Sequence, residues 1–347
     1  MVLAAIAGYV VVQYVTGGAG GPGCKVVSAG RTGPVYEFSP EQAVNAATIA
    51  AVGTGRGMPQ RAVTIALATA LQESGLRNIE SGDRDSLGLF QQRPSQGWGT
   101  EKQIMDPSYA AGIFYEHLVR VPGYTGLPLT VAAQRVQRSG YPEAYAKHET
   151  DATLLSAALT GHAAATLTCQ GRPDAVTAAT GPDAVREALV RDFGRDAFQE
   201  AAAEVNGATP KPTPVPSAST GSDGRTVTVP VPKATHSGAS DTPTISATSD
   251  ATGKAPDLKE TLTTDERGWQ LAQWAVANAS ALHIRRVSYA GREWTAGSTD
   301  SQWIPVPAAT GTGTGTDTAT GAGTGTGSQG SGGAGSTTAA VKIVTGQ

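Results

Sequence analysis

The chain has 347 residues with a formal net charge of −3, and 16% of its residues are charged, below the roughly 25% of an ordinary soluble domain. A slightly negative charge gives no basic field for a polyanion, so the composition argues against nucleic-acid binding. The 44 glycines and 21 prolines predict long linkers, which favours a secreted protein with flexible stretches over a compact cytosolic enzyme.

The first predicted element is an apolar segment at the amino end, within residues 1–23. Residues 2–15 are apolar apart from Gln13, and at 1.5 Å per residue they reach about 21 Å, short of a membrane core of about 30 Å. No Lys or Arg precedes them, so the charged flank of a signal sequence is missing. We interpret the segment as a signal anchor or a signal peptide, with a buried helix as the alternative. Either form of export places the rest of the chain outside the cytoplasm, and an anchor makes the membrane a partner of this segment.

The two cysteines, Cys24 and Cys169, bracket the best-patterned part of the chain. An even number of cysteines after an export signal suggests a disulfide, and two unrelated thiols are the alternative. A bridge would close a loop of about 145 residues and, in the chain-entropy model, contribute on the order of 4–5 kcal/mol to stability.

Caps and apolar spacing predict a mainly helical domain over residues 36–165. Ser39, with Gln42 three residues later, is typical of a capping box that opens a helix. A second helix is predicted to follow Pro59, with a regularly spaced apolar face, and to end at Gly75.

The rest of this domain is predicted to be a polar loop, a short strand and more helices. Residues 87–92 form a short apolar run that favours an extended strand. Asp106 and Thr130 are predicted to cap the next two helices, and a helical stretch over residues 142–159 completes the bundle.

Beyond the bundle, a helical pattern returns within residues 181–205, but nothing apolar flanks it, so it is predicted to be a stalk helix. Residues 206–260 are rich in Pro, Thr, Ser and Gly and predict a linker, except that residues 226–231 alternate like a strand. Residues 308–340 show no hydrophobic period, so disorder is expected there.

Residues 264–347 are predicted to form a small α/β unit around the insert 308–340. Its helix is expected to be capped by Asp265, and four short strand candidates follow, at residues 286–289, 294–295, 303–306 and 341–344. The predicted fold class is therefore α+β and mainly α, with disordered linkers joining a helical domain to this unit.

Glu73 falls in the last turn of an apolar helix. Burial and the negative end of the helix dipole both disfavour a charged carboxylate there, so the pKa of Glu73 is expected to be raised. A carboxylic acid that stays protonated near neutral pH can donate its proton to a leaving oxygen, as glycosidases require. The alternative is an exposed helix-end Glu paired with Arg77.

A wider motif surrounds Glu73. The sequence Glu73-Ser74-Gly75, followed by a Gly-Leu-Phe-Gln segment that starts 15 positions after the Glu, resembles the catalytic segment of the lytic transglycosylase and goose-type lysozyme superfamily. The resemblance covers roughly residues 38–160. It implies a lysozyme-like fold, peptidoglycan glycan strands as substrate, Glu73 as acid/base and Ser74 as a supporting group. It also implies a groove-lining strand made of Gly88, Leu89, Phe90 and Gln91.

Further along, the chain departs from that family, which has an Ala-Tyr-Asn-like motif and a later Tyr. Here residues 133–137 and Tyr145 occupy this stretch. Either Gln134 or Gln137 is expected to take the amide role, and Tyr145 the groove-lining role. This variant resembles actinobacterial cell-wall proteins and phage tail lysozymes more than the common form.

Hydrolysis of the glycosidic bond by inversion would need a second carboxylate to activate water. The family resemblance implies instead a lytic reaction that needs only Glu73. Asp83 and Asp85 are the candidates, and the alternative is that they stabilise the turn around Arg84. Trp98 is either a sugar-stacking ring or a plug under its loop.

The histidines show no metal-ligand spacing, and two cysteines offer no thiolate cluster, so neither a metal nor a cofactor is expected. The carboxyl-terminal unit weakly resembles the last half of a peptidase M15-like domain. Its final strand, around residues 340–343, lacks the histidines of the active forms. The resemblance therefore implies a non-catalytic module that binds the wall or a partner.

Together these observations predict an enzyme that cleaves the β-1,4 glycosidic bond of peptidoglycan glycan strands by a single-Glu lytic mechanism. It is expected outside the cytoplasm, anchored in the membrane or secreted into the cell wall. The alternative is a non-catalytic peptidoglycan-binding protein with a degenerate groove. The oligomeric state stays open.

Overall fold

The computed structural model describes residues 23–171, 181–195, 219–221, 223–231, 262–297, 302–306 and 339–346. In these ranges the chain has the expected mixed α+β fold. The predicted amino-terminal segment lies outside the described residues. Within them, no helix has both the length and the apolar character needed to cross a membrane.

Helices dominate the first half of the described chain. The helices are α1 (Pro40–Gly55), α2 (Gln60–Ser74), α3 (Glu101–Ile104), α4 (Pro107–Leu118), α5 (Leu129–Gln137), α6 (Glu149–Leu159), α7 (Pro182–Phe193) and α8 (Thr264–Ala277). The strands are β1 (Cys24–Val27), β2 (Val35–Phe38), β3 (Leu167–Cys169), β4 (Ser219–Thr220), β5 (Thr226–Pro230), β6 (Ile284–Tyr289), β7 (Arg292–Thr295), β8 (Ile304–Pro305) and β9 (Ala340–Thr345).

A three-stranded antiparallel sheet closes the helical unit, with strand order β2-β1-β3. In the β1–β3 pairing Cys24 stands opposite Cys169, and the two residues form the predicted disulfide. Both are buried, and the strands that carry them pack against α6. The bridge therefore joins the start of the described chain to the strand that follows the bundle.

Replacing both Cys24 and Cys169 with Ala is expected to lower the free energy of unfolding by about 3–5 kcal/mol, because the bridge closes a long loop in the unfolded chain. Chemical denaturation with and without a reductant measures this change. The reductant should lower the wild-type midpoint and leave that of the double variant unchanged. Equal midpoints for the two proteins without reductant would contradict the loop-closure argument.

Helix α2 is the central helix of the bundle, in contact with α1, α4, α5 and α6. All of its side chains from Ala62 to Leu71 are buried. The helix ends as predicted at Gly75, whose φ of 62° lies in the left-handed region that favours glycine. The last turn, which carries Glu73, therefore lies at the edge of the core, directly before the end of the helix.

The caps of several helices were predicted by short sequence patterns. Ser39 and Gln42 form the expected capping box at α1, and Asp106 caps α4 by accepting bonds from two backbone N–H groups. The predicted cap at Thr130 is wrong, because α5 begins one residue earlier and the Thr130 hydroxyl donates to the Pro142 carbonyl. The predicted cap at Asp265 is also wrong, since Thr263 takes that place in α8.

The expected strand over residues 87–92 is instead a tight turn. Leu87 and Gln92 form an isolated antiparallel bridge, with N–O distances of 2.9 and 3.0 Å. Between them Gly88 and Gln91 have φ values of 72° and 48°. An added Cβ at Gly88 would lie 2.8 Å from the Ile104 carbonyl oxygen, so the chain bends where only glycine fits.

Helix α7 is packed rather than free. Its side chains Val185, Leu189 and Phe193 are buried, and the helix contacts α1 and β5. The expectation of a stalk helix with no apolar surface beside it is therefore wrong. Residues 196–205 lie outside the described chain.

The carboxyl-terminal unit is a six-stranded antiparallel sheet of order β4-β5-β9-β6-β7-β8, with α8 packed on it. The strand predicted within residues 226–231 is present as β5, and it pairs with β9 so that Val227 faces Ile343. This part of the predicted linker is therefore a strand of the sheet. Most of the rest of residues 206–260, and residues 308–338 of the insert, lie outside the described chain.

Helix α8 joins this unit to the bundle through contacts that the sequence did not predict. The Gln273 side chain bonds backbone groups around β3 and at the end of α6. The Trp274 indole donates to the Asp192 carboxylate of α7 at 2.9 Å. Buried residues of both units belong to one continuous hydrophobic cluster. The two units therefore share a core in the described chain.

Candidate active site

Glu73 lies where α2, α5 and the segment after α5 meet. Its side chain is half-buried, and its Oε1 accepts a hydrogen bond of 2.7 Å from the Tyr145 hydroxyl. The Gln137 side chain also interacts with the carboxyl group. Two neutral donors from different elements therefore orient this carboxyl group.

Burial raises the pKa of Glu73, and the hydrogen bonds from Tyr145 and Gln137 oppose that rise without cancelling it. Arg77, the partner in the alternative interpretation, is exposed. Among the ion pairs of the described residues, none involves Glu73. The carboxyl group is thus a half-buried acid that holds its proton more tightly than an exposed glutamate does.

Tyr145 is fully buried beneath Glu73. Burial, and then the charge of Glu73, raise the pKa of its hydroxyl well above the ordinary value of a tyrosine. The hydroxyl therefore stays protonated over the physiological range and remains a donor to the carboxyl group.

The turn of residues 88–91 is held against the end of α2. The Ser74 hydroxyl lies 2.8 Å from the Leu89 carbonyl oxygen and 3.1 Å from that of Ala70. The Gln137 amide donates to the Phe90 carbonyl at 2.7 Å. The backbone of the turn is therefore fixed beside Glu73 from two sides.

The side chains of this turn do not all face the same way. Leu89 and Phe90 are fully buried, and the Phe90 ring stacks on Phe114 with centroids 4.6 Å apart. These two side chains pack in the core, so only the backbone of Leu89 and Phe90 is left for the predicted groove-lining role, which stays a prediction. Gln91 is partly exposed and donates to the Gly88 carbonyl at 3.2 Å.

The two glutamines of α5 have different partners. Gln134 donates to the Ser139 carbonyl at 2.8 Å, whereas Gln137 reaches Phe90 and Glu73. Of the two amides left open by the sequence, Gln137 is therefore the one beside the carboxyl group.

The candidate second carboxylates have other contacts. Asp83 is almost fully exposed and lies 3.9 Å from the Arg84 guanidinium. Asp85 accepts bonds from the Ser95 backbone at 2.9 Å and from Arg93 at 2.6 Å. The hydrogen bonds from Ser95, followed by that from Arg93, hold the pKa of Asp85 far below its ordinary value. Asp85 is thus a loop-stabilising anion and a weak base.

The sequence did not single out a polar cluster that contacts the end of α2 beside Glu73. His148 Nε2 lies 3.1 Å from Gln72 Oε1, directly before Glu73. Asp151, one turn along the chain, interacts with both His148 and Tyr36 of β2. Burial raises the pKa of Asp151 and lowers that of His148. The three-residue spacing of His148 and Asp151 on a predicted helical stretch could have indicated that they lie side by side. Nothing in the sequence indicated that Tyr36 of β2 packs near them.

Trp98 acts as a plug under its loop. Its side chain is buried and stacks on His117 with ring centroids 4.1 Å apart. The Tyr109 hydroxyl donates to its carbonyl at 3.2 Å. Of its two possible roles, the structure therefore supports the core position.

The described residues contain no group of three His, Cys, Asp or Glu side chains that could hold a metal ion. In the final strand, Val341 and Ile343 point into the core and Lys342 is exposed. Residues 341–343 of this strand therefore pack a sheet against the core and include no side chain that commonly binds zinc.

No family model matches the chain, and no curated protein sequence matches it.

Proposed function

We propose that this chain cleaves the β-1,4 glycosidic bond of peptidoglycan glycan strands, with Glu73 as the single acid/base of a lysozyme-like domain. The observation that carries the proposal is the half-buried carboxyl group at the end of α2, whose pKa is raised by burial and whose orientation is set by Tyr145 and Gln137. An acid whose proton is held more tightly than usual and whose orientation is fixed is the group this reaction needs.

In the first step, protonated Glu73 donates its proton to the oxygen of the leaving sugar, and the glycosidic bond breaks. The N-acetyl group of the substrate stabilises the positive carbon, as the family resemblance implies. Glu73 is then an anion and accepts the proton of the sugar's own 6-hydroxyl, whose oxygen bonds to that carbon. The product is a 1,6-anhydro sugar, and the enzyme returns to its starting protonation state.

The environments of Asp83 and Asp85 support the lytic form over the hydrolytic one. Inverting hydrolysis requires a carboxylate that activates water on the opposite face of the sugar. Asp85 is bound by Ser95 and Arg93, and Asp83 is solvated beside Arg84. The pKa of Asp85 is held far below its ordinary value, whereas burial raises that of Glu73, which can serve in turn as acid and base.

The Cys24–Cys169 disulfide supports a location outside the cytoplasm, because such bonds persist in oxidising compartments. In this proposal the enzyme is anchored in the membrane through its amino-terminal segment or secreted into the cell wall. The carboxyl-terminal sheet is then a non-catalytic module that binds the wall or a partner protein.

Mass spectrometry of fragments released from purified sacculi tests the reaction. We expect fragments with 1,6-anhydro ends. Fragments with reducing ends would instead show a hydrolase. Binding to sacculi without any released fragment would leave a peptidoglycan-binding protein and end the enzymatic proposal.

A further inference from the structure

The segment after α5 carries an unusually exposed aromatic side chain. Tyr141 is 78% exposed, more than any other large hydrophobic residue of the described chain. Single exposed hydrophobic residues are common on protein surfaces, so the exposure alone carries no function. Two further features of Tyr141 indicate a function: its backbone is held by hydrogen bonds, and it lies close to Glu73.

The backbone around Tyr141 is held by several hydrogen bonds. Its N–H donates to the Ser139 hydroxyl at 3.1 Å, and its carbonyl accepts from the Ala144 N–H at 3.1 Å. The neighbouring carbonyls of Ser139 and Pro142 accept from Gln134 and Thr130 of α5. The ring is therefore presented to solvent by a fixed loop rather than by an untethered one.

The same loop leads directly to Glu73. The Ser139 side chain, which accepts from the Tyr141 N–H, interacts with the Tyr145 hydroxyl, and that hydroxyl donates to Glu73 at 2.7 Å. These three contacts place the Tyr141 backbone within about 10 Å of the Glu73 carboxyl group. That span is comparable with two linked sugar rings.

We propose that Tyr141 is a substrate-binding residue whose ring stacks on the C–H face of a sugar next to the bond that Glu73 cleaves. This inference rests on the proposed function and adds a subsite to it. The face of an aromatic ring carries partial negative charge and attracts the weakly positive C–H groups of a pyranose. A ring carried by a held backbone also loses less conformational freedom on binding a sugar than a ring on an untethered loop does.

Binding of peptide-free glycan strands tests the subsite without turnover. In the full-length Glu73→Gln protein, added Tyr141→Ala should weaken binding about tenfold, since a stacking contact of ordinary strength has that effect on an affinity. Tyr141→Phe keeps the ring and should bind like its parent. Val119→Ala is the matched control, because this exposed residue follows α4 and belongs neither to the site around Glu73 nor to the carboxyl-terminal sheet.

Kinetics on sacculi separate binding from chemistry. With Glu73 intact, Tyr141→Ala should raise KM about tenfold with little change in kcat, because the contact is made in both the ground state and the transition state. The melting temperature should not change, since the ring is exposed.

Three outcomes would overturn the subsite while leaving cleavage by Glu73 in place: equal affinities for Tyr141→Ala and its parent, a Tyr141→Phe variant as weak as Tyr141→Ala, or a loss confined to kcat. If the wild type releases no fragments yet binds strands through Tyr141, the proposed cleavage fails and the sugar-binding role of Tyr141 survives.

Discussion

Replacing Glu73 with Gln is expected to reduce the rate of glycan cleavage by at least about 10³-fold, because general acid–base catalysis contributes about 10²–10⁴ and the proposed mechanism uses this one group in both steps. The amide can still accept the hydrogen bond from Tyr145, so the site should keep its shape. Release of fragments from sacculi over time measures the loss.

The same variant should fold with an unchanged or higher melting temperature. Because burial raises the pKa of Glu73, the folded protein holds this proton more tightly than the unfolded chain does. The contribution of this proton to the free energy of unfolding is therefore fully present below the pKa that Glu73 has in the unfolded chain. It is lost as the pH rises through the raised pKa of Glu73 in the folded protein. Gln does not titrate, so the difference in melting temperature between Glu73→Gln and wild type should increase over that pH range.

Asp83→Asn and Asp85→Asn are the controls for Glu73→Gln. Asp83→Asn should keep wild-type turnover, since its carboxylate is exposed. Asp85→Asn weakens the bonds to Arg93 and Ser95, so its effect should fall on the loop more than on catalysis. Wild-type turnover by Glu73→Gln would end the enzymatic assignment, and loss of turnover in Asp83→Asn would indicate a hydrolytic mechanism.

Local patterns predicted the parts of the fold that depend on neighbours in sequence. The capping box at Ser39, the cap at Asp106 and the stop at Gly75 each follow from residues within one turn. The disulfide was predicted by composition and compartment. The raised pKa of Glu73 was predicted from its position near the end of an apolar helix, and burial is indeed its largest cause.

Contacts between distant segments were beyond sequence reasoning. Gln134 and Gln137 lie three residues apart on one helix, and only the approach of the turn at Phe90 separates their roles. The same approach buries Leu89 and Phe90, although their motif suggested a groove. Helix α7 looked isolated because its partners, α1 and β5, are far away along the chain.

The docking of α8 against the helical unit is expected to contribute as much to stability as the disulfide. Gln273 is fully buried, and its Oε1 accepts bonds from the N–H groups of Thr166 and Leu167 at 3.0 and 2.9 Å. Its Nε2 donates to the carbonyls of Ala158 and Ala163 at 2.8 and 2.9 Å. Gln273→Ala leaves these backbone groups without that partner, so the free energy of unfolding should fall by roughly 3–5 kcal/mol. Chemical denaturation of the full-length chain measures this.

Gln270 offers a matched control on the same helix. It is equally buried, but its Nε2 makes one bond, to the Thr54 hydroxyl, and its Oε1 has no hydrogen-bond partner among the described residues. Gln270→Ala removes that unsatisfied oxygen together with the one bond, so it should cost about 1–2 kcal/mol at most. Equal losses in the two variants would mean that the volume removed, rather than the four backbone bonds of Gln273, holds α8 against the helical unit.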